Sequence, residues 1–149
     1  MYKTLLTVAT LALTASMSAY ADSTQCEVLD KKQATALFER WNQALQKGDP
    51  KAVAALYAPQ AVLLPTVSNI PRTDTAGKID YFEHFLKNKP VGSIDSSTLF
   101  TGCNTAIDTG TYTFRFSDRS TVNARYTFSY ALMDNQWLIT SHHSSAMPE

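Results

Sequence analysis

The sequence predicts an α+β domain: a curved antiparallel sheet wrapped around a long N-terminal helix, with a cone-shaped pocket at its open end. Two observations carry that expectation. Between Asp30 and Asn88 the apolar residues recur mostly at the helical spacing of about 3.6, and from Val91 onward they fall at every second position. Helices first and a run of hairpin-linked strands after is the order of an α+β layout, not of alternating parallel-sheet units. No internal repeat, low-complexity stretch or second domain interrupts it.

The residues ahead of this domain follow another pattern. Met1-Tyr2-Lys3 supplies a basic end, Thr4 to Ser18 is mostly apolar and small, and Ala19-Tyr20-Ala21 has the small-x-small form of a cleavage site. That is a secretory signal peptide, too short and weakly flanked for a lasting membrane anchor. Residues 1–21 are therefore expected to be removed, leaving 22–149 as one domain in the periplasm or outside the cell, free of the membrane. Removing Lys3 leaves 12 basic against 13 acidic residues, a net charge of −1. That balance lacks the basic footprint of a nucleic-acid binder. In an oxidising compartment Cys26 and Cys103 read first as a disulfide, with two separate buried thiols as the alternative. Closing so long a loop would stabilise the fold by roughly 4 kcal/mol.

The first helix spans Asp30 to Lys47, with Ala34, Leu37, Phe38, Trp41 and Leu45 on one stripe. In Gly48-Asp49-Pro50, Gly suits a left-handed helix end, Asp caps the next helix and Pro opens it. That second helix runs from Pro50 to Tyr57, with Val53, Leu56 and Tyr57 inward. Gln60 to Leu64 is a strand closed by Pro65, and a polar loop follows. Asp74 or Thr75 caps a third helix to Asn88, with Ile79, Phe82, Phe85 and Leu86 buried and Tyr81 beside them. His84 falls on its polar shoulder. Strands are expected at Ser93–Phe100, Thr105–Asp108, Thr111–Phe116, Thr121–Leu132 and Gln136–His143, with turns at Ser117–Ser120 and Asp134-Asn135.

This order resembles the nuclear-transport-factor-2-like (NTF2-like) fold. Gly48-Asp49-Pro50 with Leu56-Tyr57, Tyr81-Phe82-x-x-Phe85, Arg125-Tyr126-Thr127-Phe128 and the run from Trp137 to Pro148 resemble the calcium/calmodulin-dependent kinase II association domain. Without a kinase domain, kinase activity is not implied. Within that superfamily, His142-His143-Ser144-Ser145-Ala146-Met147-Pro148-Glu149 and Leu63-Leu64-Pro65-Thr66-Val67-Ser68-Asn69 with Arg72 are similar to the iota-class carbonic anhydrases. Some members carry a third His before the pair, where this chain has Ser141. The resemblance implies reversible hydration of CO2 to bicarbonate, with Thr66, Tyr81, Ser144 or Ser145 and the His pair in the pocket. It leaves the metal open: some members use none, and zinc or manganese is proposed for others.

The residues themselves argue against zinc, which lowers the pKa of bound water to about 7. A three-His site would need His84, His142 and His143 together, and neighbours on a regular strand point to opposite faces. A metal-free site would use Thr66, Tyr81, His143, Ser144 and Ser145 as catalytic groups. Thr66, Tyr81, Arg125, His142 and Ser144 would hold CO2 or bicarbonate, Arg125 favouring the anion if it faces inward. His143 is expected inside because it shares parity with Trp137 and Ile139. Two other readings stand beside the enzyme. One is a non-catalytic oligomerisation or small-ligand-binding module; like the enzyme, it is expected as a homodimer formed through the outer sheet face. The other is an acid–base isomerase or hydrolase using Asp108.

Overall fold

The computed structural model describes residues 26–148; the expected signal peptide lies outside them. Helix α1 (Lys31–Lys47) is followed by α2 (Pro50–Ala54), strand β1 (Tyr57–Leu64), helix α3 (Thr75–Phe85) with a 3-10 turn at Leu86–Asn88, and strands β2 (Val91–Gly102), β3 (Thr105–Arg115), β4 (Thr121–Met133) and β5 (Gln136–Ala146). Among the described residues no helix is long and apolar enough to cross a membrane.

Local chemistry sets the helix ends. The Asp30 side chain accepts from the Gln33 backbone, and the Gln33 side chain accepts in return from Asp30 N, so two donors are satisfied at once. Gly48 closes α1 in the left-handed region, at φ 71°. Asp49 caps α2 behind Pro50, and Asp74 caps α3. The apolar stripe of α1 buries Ala34, Phe38, Trp41 and Leu45, with Leu37 half-buried at its edge. Asn42 shares that face because its amide satisfies both backbone groups of Gly92, at 2.9 and 2.8 Å.

The five strands form one curved, unclosed sheet in the order β1-β5-β4-β3-β2. β2 to β5 are an antiparallel meander, and β1 adds to β5 in parallel. The C-terminal stretch is therefore an interior strand, not a fraying tail. Phe128 and Tyr112 on the concave face pack against Phe38 of α1.

Three expectations change. Tyr57 opens β1 instead of ending α2. Tyr81 is buried and stacks on Phe85, which is itself only partly covered. Thr105–Asp108 and Thr111–Phe116 are one strand, because Gly110 allows a close backbone approach and does not mark a turn. Lys78 on α3 is fully buried and donates to Ala61 O at 2.8 Å. Burial pulls its pKa down, against the opposing pull of Asp74.

Cys26 and Cys103 are joined, with their Cα atoms 5.0 Å apart, which replaces the two-thiol alternative. Asn104 beside them reaches the same arm, its N donating to Glu27 O and its side chain accepting from Glu27 N, both at 2.8 Å.

Candidate functional site

A β-bulge decides which histidine enters the cone. Along β4 and β5, Tyr130 pairs with Ile139 but Ser129 pairs with Ser141, so Thr140 is an extra residue. Its hydroxyl bonds Ser129 Oγ at 2.9 Å. One inserted residue reverses the inward–outward alternation beyond it. Ile139, His142 and Ser144 consequently face the concave side, and all three are buried. His143, expected inside, is exposed on the outer face opposite Thr127.

The bulge splits the expected site residues into two groups. Thr66, Tyr81, His142 and Ser144 line one cavity of about 60 Å³. His143, Ser145 and Arg125 line a shallow depression on the opposite face of the sheet. Arg125 alternates with the buried Ala124 and Tyr126, and its guanidinium donates to Ala146 O at 3.5 Å. Asp108 is buried on β3, where it accepts from Ser97 Oγ at 2.6 Å and from Tyr126 OH at 3.2 Å. It is not among the residues that line the cavity.

The parallel pairing of Leu63 with His142 sets the level at which the Pro65 loop leaves β1. Two backbone bonds between Leu63 and Arg72, each 2.9 Å, close that loop at its base. Thr66 Oγ1 then lies 2.5 Å from Ser144 Oγ. Tyr112 OH donates to Ser144 Oγ at 2.5 Å and lies 3.5 Å from His142 Nε2. On the other side of the ring, His142 Nδ1 bonds Tyr57 OH at 2.9 Å, and Trp41 Nε1 donates to that hydroxyl at 3.1 Å. The result is one continuous polar chain from the core to the cavity wall. Tyr57 and Tyr112 were not among the expected site residues. Their only sequence signal was a tyrosine at a buried position, where the hydroxyl must find a partner.

The electrostatics follow from burial. His142 stacks on Phe128 with ring centres 3.9 Å apart and meets Trp41 edge-on. Burial, with a smaller push from His143, lowers its pKa to about 3, so the imidazole is neutral at physiological pH. Burial raises Tyr81 to about 12 against the opposing charge of Arg72, and it raises Tyr112 as well. Every group at the polar end of the cavity is thus an uncharged hydroxyl or imidazole. The remaining wall is aromatic and aliphatic, including Phe82, Phe85 and Phe114. Val67, Tyr81, Phe85 and Phe116 also line an outer hollow of about 390 Å³ that contains Arg72, Asp80 and His84.

This donor set does not suit a metal. Zinc takes thiolate, imidazole or carboxylate ligands, and manganese favours carboxylates. The cavity offers one imidazole with both nitrogens engaged. Among the described residues no three His, Cys, Asp or Glu side chains come together.

Residues 30–148 match the calcium/calmodulin-dependent protein kinase II association domain. This chain belongs to that family. It is similar to a Xanthomonas campestris structure provisionally assigned to the same association domain, at 48% identity and a TM-score of 0.78, covering 80% of this chain and 89% of that one. An NTF2-like protein of unknown function from Pseudomonas putida KT2440 matches at 20% identity and a TM-score of 0.70, covering 79% and 87%. A provisionally assigned ketosteroid isomerase from Parabacteroides distasonis matches at 18% identity and 0.65, covering 78% and 86%. Those two likenesses concern the fold alone. No curated protein matches the chain. Association-domain membership accounts for the helix-then-meander order and the curved sheet.

Proposed function

We propose that this association-domain protein is an exported carbonic anhydrase of the iota class, hydrating CO2 reversibly to bicarbonate and a proton without a metal. The observation that carries the reading is the Thr66–Ser144–Tyr112–His142 chain at the polar end of a small, otherwise apolar cavity. A single water needs about 10–15 Å³ of such space, so the hollow holds about four to six water-sized groups, enough for CO2 and one water.

The aromatic wall receives CO2, and the Thr66 and Ser144 hydroxyls hold the attacking water beside it. The water oxygen forms the new bond to carbon, one C=O π pair moves onto oxygen, and the water gives up a proton. Tyr81, neutral at working pH, donates to an oxygen on which charge develops. Hydroxyl dipoles fixed in a dry cavity stabilise that charge without reorganising. His142 is too weak a base to take the proton at neutral pH, so the proton passes to solvent water in the outer hollow, beside Asp80 and His84, and from there to bulk buffer.

Stopped-flow CO2 hydration by the mature protein after exhaustive chelation tests the reading. Acceleration over buffer supports it, and no acceleration with or without added zinc or manganese overturns it. The second reading, a non-catalytic assembly or small-ligand module, is favoured by the family match itself. Both readings include a homodimer through the outer sheet face, so oligomeric state does not separate them.

A further inference from the structure

The polar chain has a direction, and one residue at its buried end sets it. Trp41 Nε1 is a donor only, and it points at Tyr57 OH. Among the described residues that hydroxyl has one other hydrogen-bond partner, His142 Nδ1, 2.9 Å away. If Nδ1 carried the ring proton, both neighbours would donate to the Tyr57 oxygen, and its own proton would be buried with no acceptor. Buried donors are rarely left so. Tyr57 therefore donates to Nδ1, and the ring proton sits on Nε2.

The consequence runs outward. Nε2–H faces Tyr112 OH at 3.5 Å, a long contact in which the tyrosine oxygen is the acceptor. Tyr112 gives its proton to Ser144, and Ser144 and Thr66 share a hydrogen bond across 2.5 Å in which either hydroxyl can be the donor. Whichever of the two donates, the other is left with a proton that no member of the chain can take.

We infer that Tyr57 is a positioning residue that holds His142 in the Nε2–H tautomer, so that the Thr66–Ser144 pair meets the cavity's occupant as a hydrogen-bond donor. The ligand class this selects is a small molecule with acceptor oxygens, bicarbonate among them, and not an ammonium or amine. The chain passes no net proton: moving one along it would leave an imidazolate at His142. Its work is to orient dipoles before the substrate arrives. The consequence for CO2 rests on the function proposed above; the tautomer and the polarity do not.

Long-range 1H–15N spectra of the histidine rings in the labelled mature protein at neutral pH test the inference. His142 should show a protonated Nε2 and a bare Nδ1. Tyr57→Phe removes the donor to Nδ1, so both tautomers should appear, bicarbonate binding should weaken, and CO2 hydration should fall about tenfold. Tyr126→Phe is the control, since it removes a buried hydroxyl bonded to Asp108 and does not line the cavity. It should lose stability comparably while leaving the His142 spectrum unchanged. A native ring protonated on Nδ1, or a Tyr57→Phe protein whose tautomer does not move, overturns the inference. If Tyr57→Phe fails to fold, the native spectrum alone decides. An Nε2–H spectrum in a protein that does not hydrate CO2 rejects the reaction and leaves the polarity standing.

Discussion

Thr66 and Ser144 are 78 residues apart in the chain, and their hydroxyl oxygens are 2.5 Å apart. The parallel addition of β1 to β5 brings them together, and the bulge at Thr140 turns Ser144 inward. If the pair holds the attacking water, Thr66→Ala and Ser144→Ala should each lower kcat/KM for CO2 by about a hundredfold, the usual loss for one transition-state hydroxyl or amide. Ser145→Ala, on the outer face, should stay near the parent rate. Stopped-flow rates on folded variants check this; equal losses at Ser144 and Ser145 would place the chemistry elsewhere.

Acid should destabilise the protein through His142. Its folded pKa of about 3 lies below the ordinary imidazole value, so the unfolded chain takes up a proton while the folded ring stays neutral. The associated stability is present in full above about pH 6.5 and is lost progressively as pH falls toward 3, on the order of 5 kcal/mol in all. Urea midpoints at pH 7.5 and 4.5 should diverge for the parent and converge for His142→Gln. Parallel losses in the two proteins would mean that another group titrates.

The parts legible from sequence are those in which the pattern is local. The stripe of α1 and the Asp30, Asp49 and Asp74 caps follow from spacing and short-range hydrogen bonding. The inner set of β4, from Ala124 to Tyr130, follows from alternation, and the same alternation puts Arg125 on the other face, against the substrate-binding role expected for it. The histidine orientation failed because a bulge leaves no mark on composition: parity counted from Trp137 is correct until Thr140 and reversed after it. Tyr57 was misread because Leu56-Tyr57 continues the apolar spacing of α2, and only pairing with Ile139 makes it a strand. Thr66 and Ser144 entered through family resemblance, since nothing local predicts that two such distant hydroxyls meet.

The Cys26–Cys103 bond should matter for stability and little for activity. It ties the arm ahead of α1, including the buried Leu29, to the turn between β2 and β3. The cavity touches β3 at Tyr112 and Phe114, some way along the strand from that turn. At about 3.3 Å per residue the two are over 20 Å apart. Replacing both cysteines by serine should cost about 4 kcal/mol of folding stability and leave CO2 hydration intact at temperatures where the variant is folded. A mass gain of about two hydrogens on reduction of the parent would report the bond itself. A loss of rate matching the loss of the bond would show that the arm reaches the site.

Gly110 and Gly48 should respond very differently to alanine. A Cβ on Gly110 would lie 1.9 Å from Ser96 O and 2.7 Å from Ser96 C, backbone atoms that cannot swing aside. β2 crosses so closely there because it carries its own irregularity between Ile94 and Ser96. Gly110→Ala should therefore force the strands apart, cost ~3 kcal/mol or more, and displace Tyr112 two residues along. Gly48 has open space around its Cβ position and needs only its left-handed φ of 71°, so Gly48→Ala should cost about 1 kcal/mol and leave the rate unchanged. Thermal denaturation with CO2 hydration below the melting range separates them. If Gly110→Ala melts like the parent, β2 and β3 do not approach as closely in solution as this register requires.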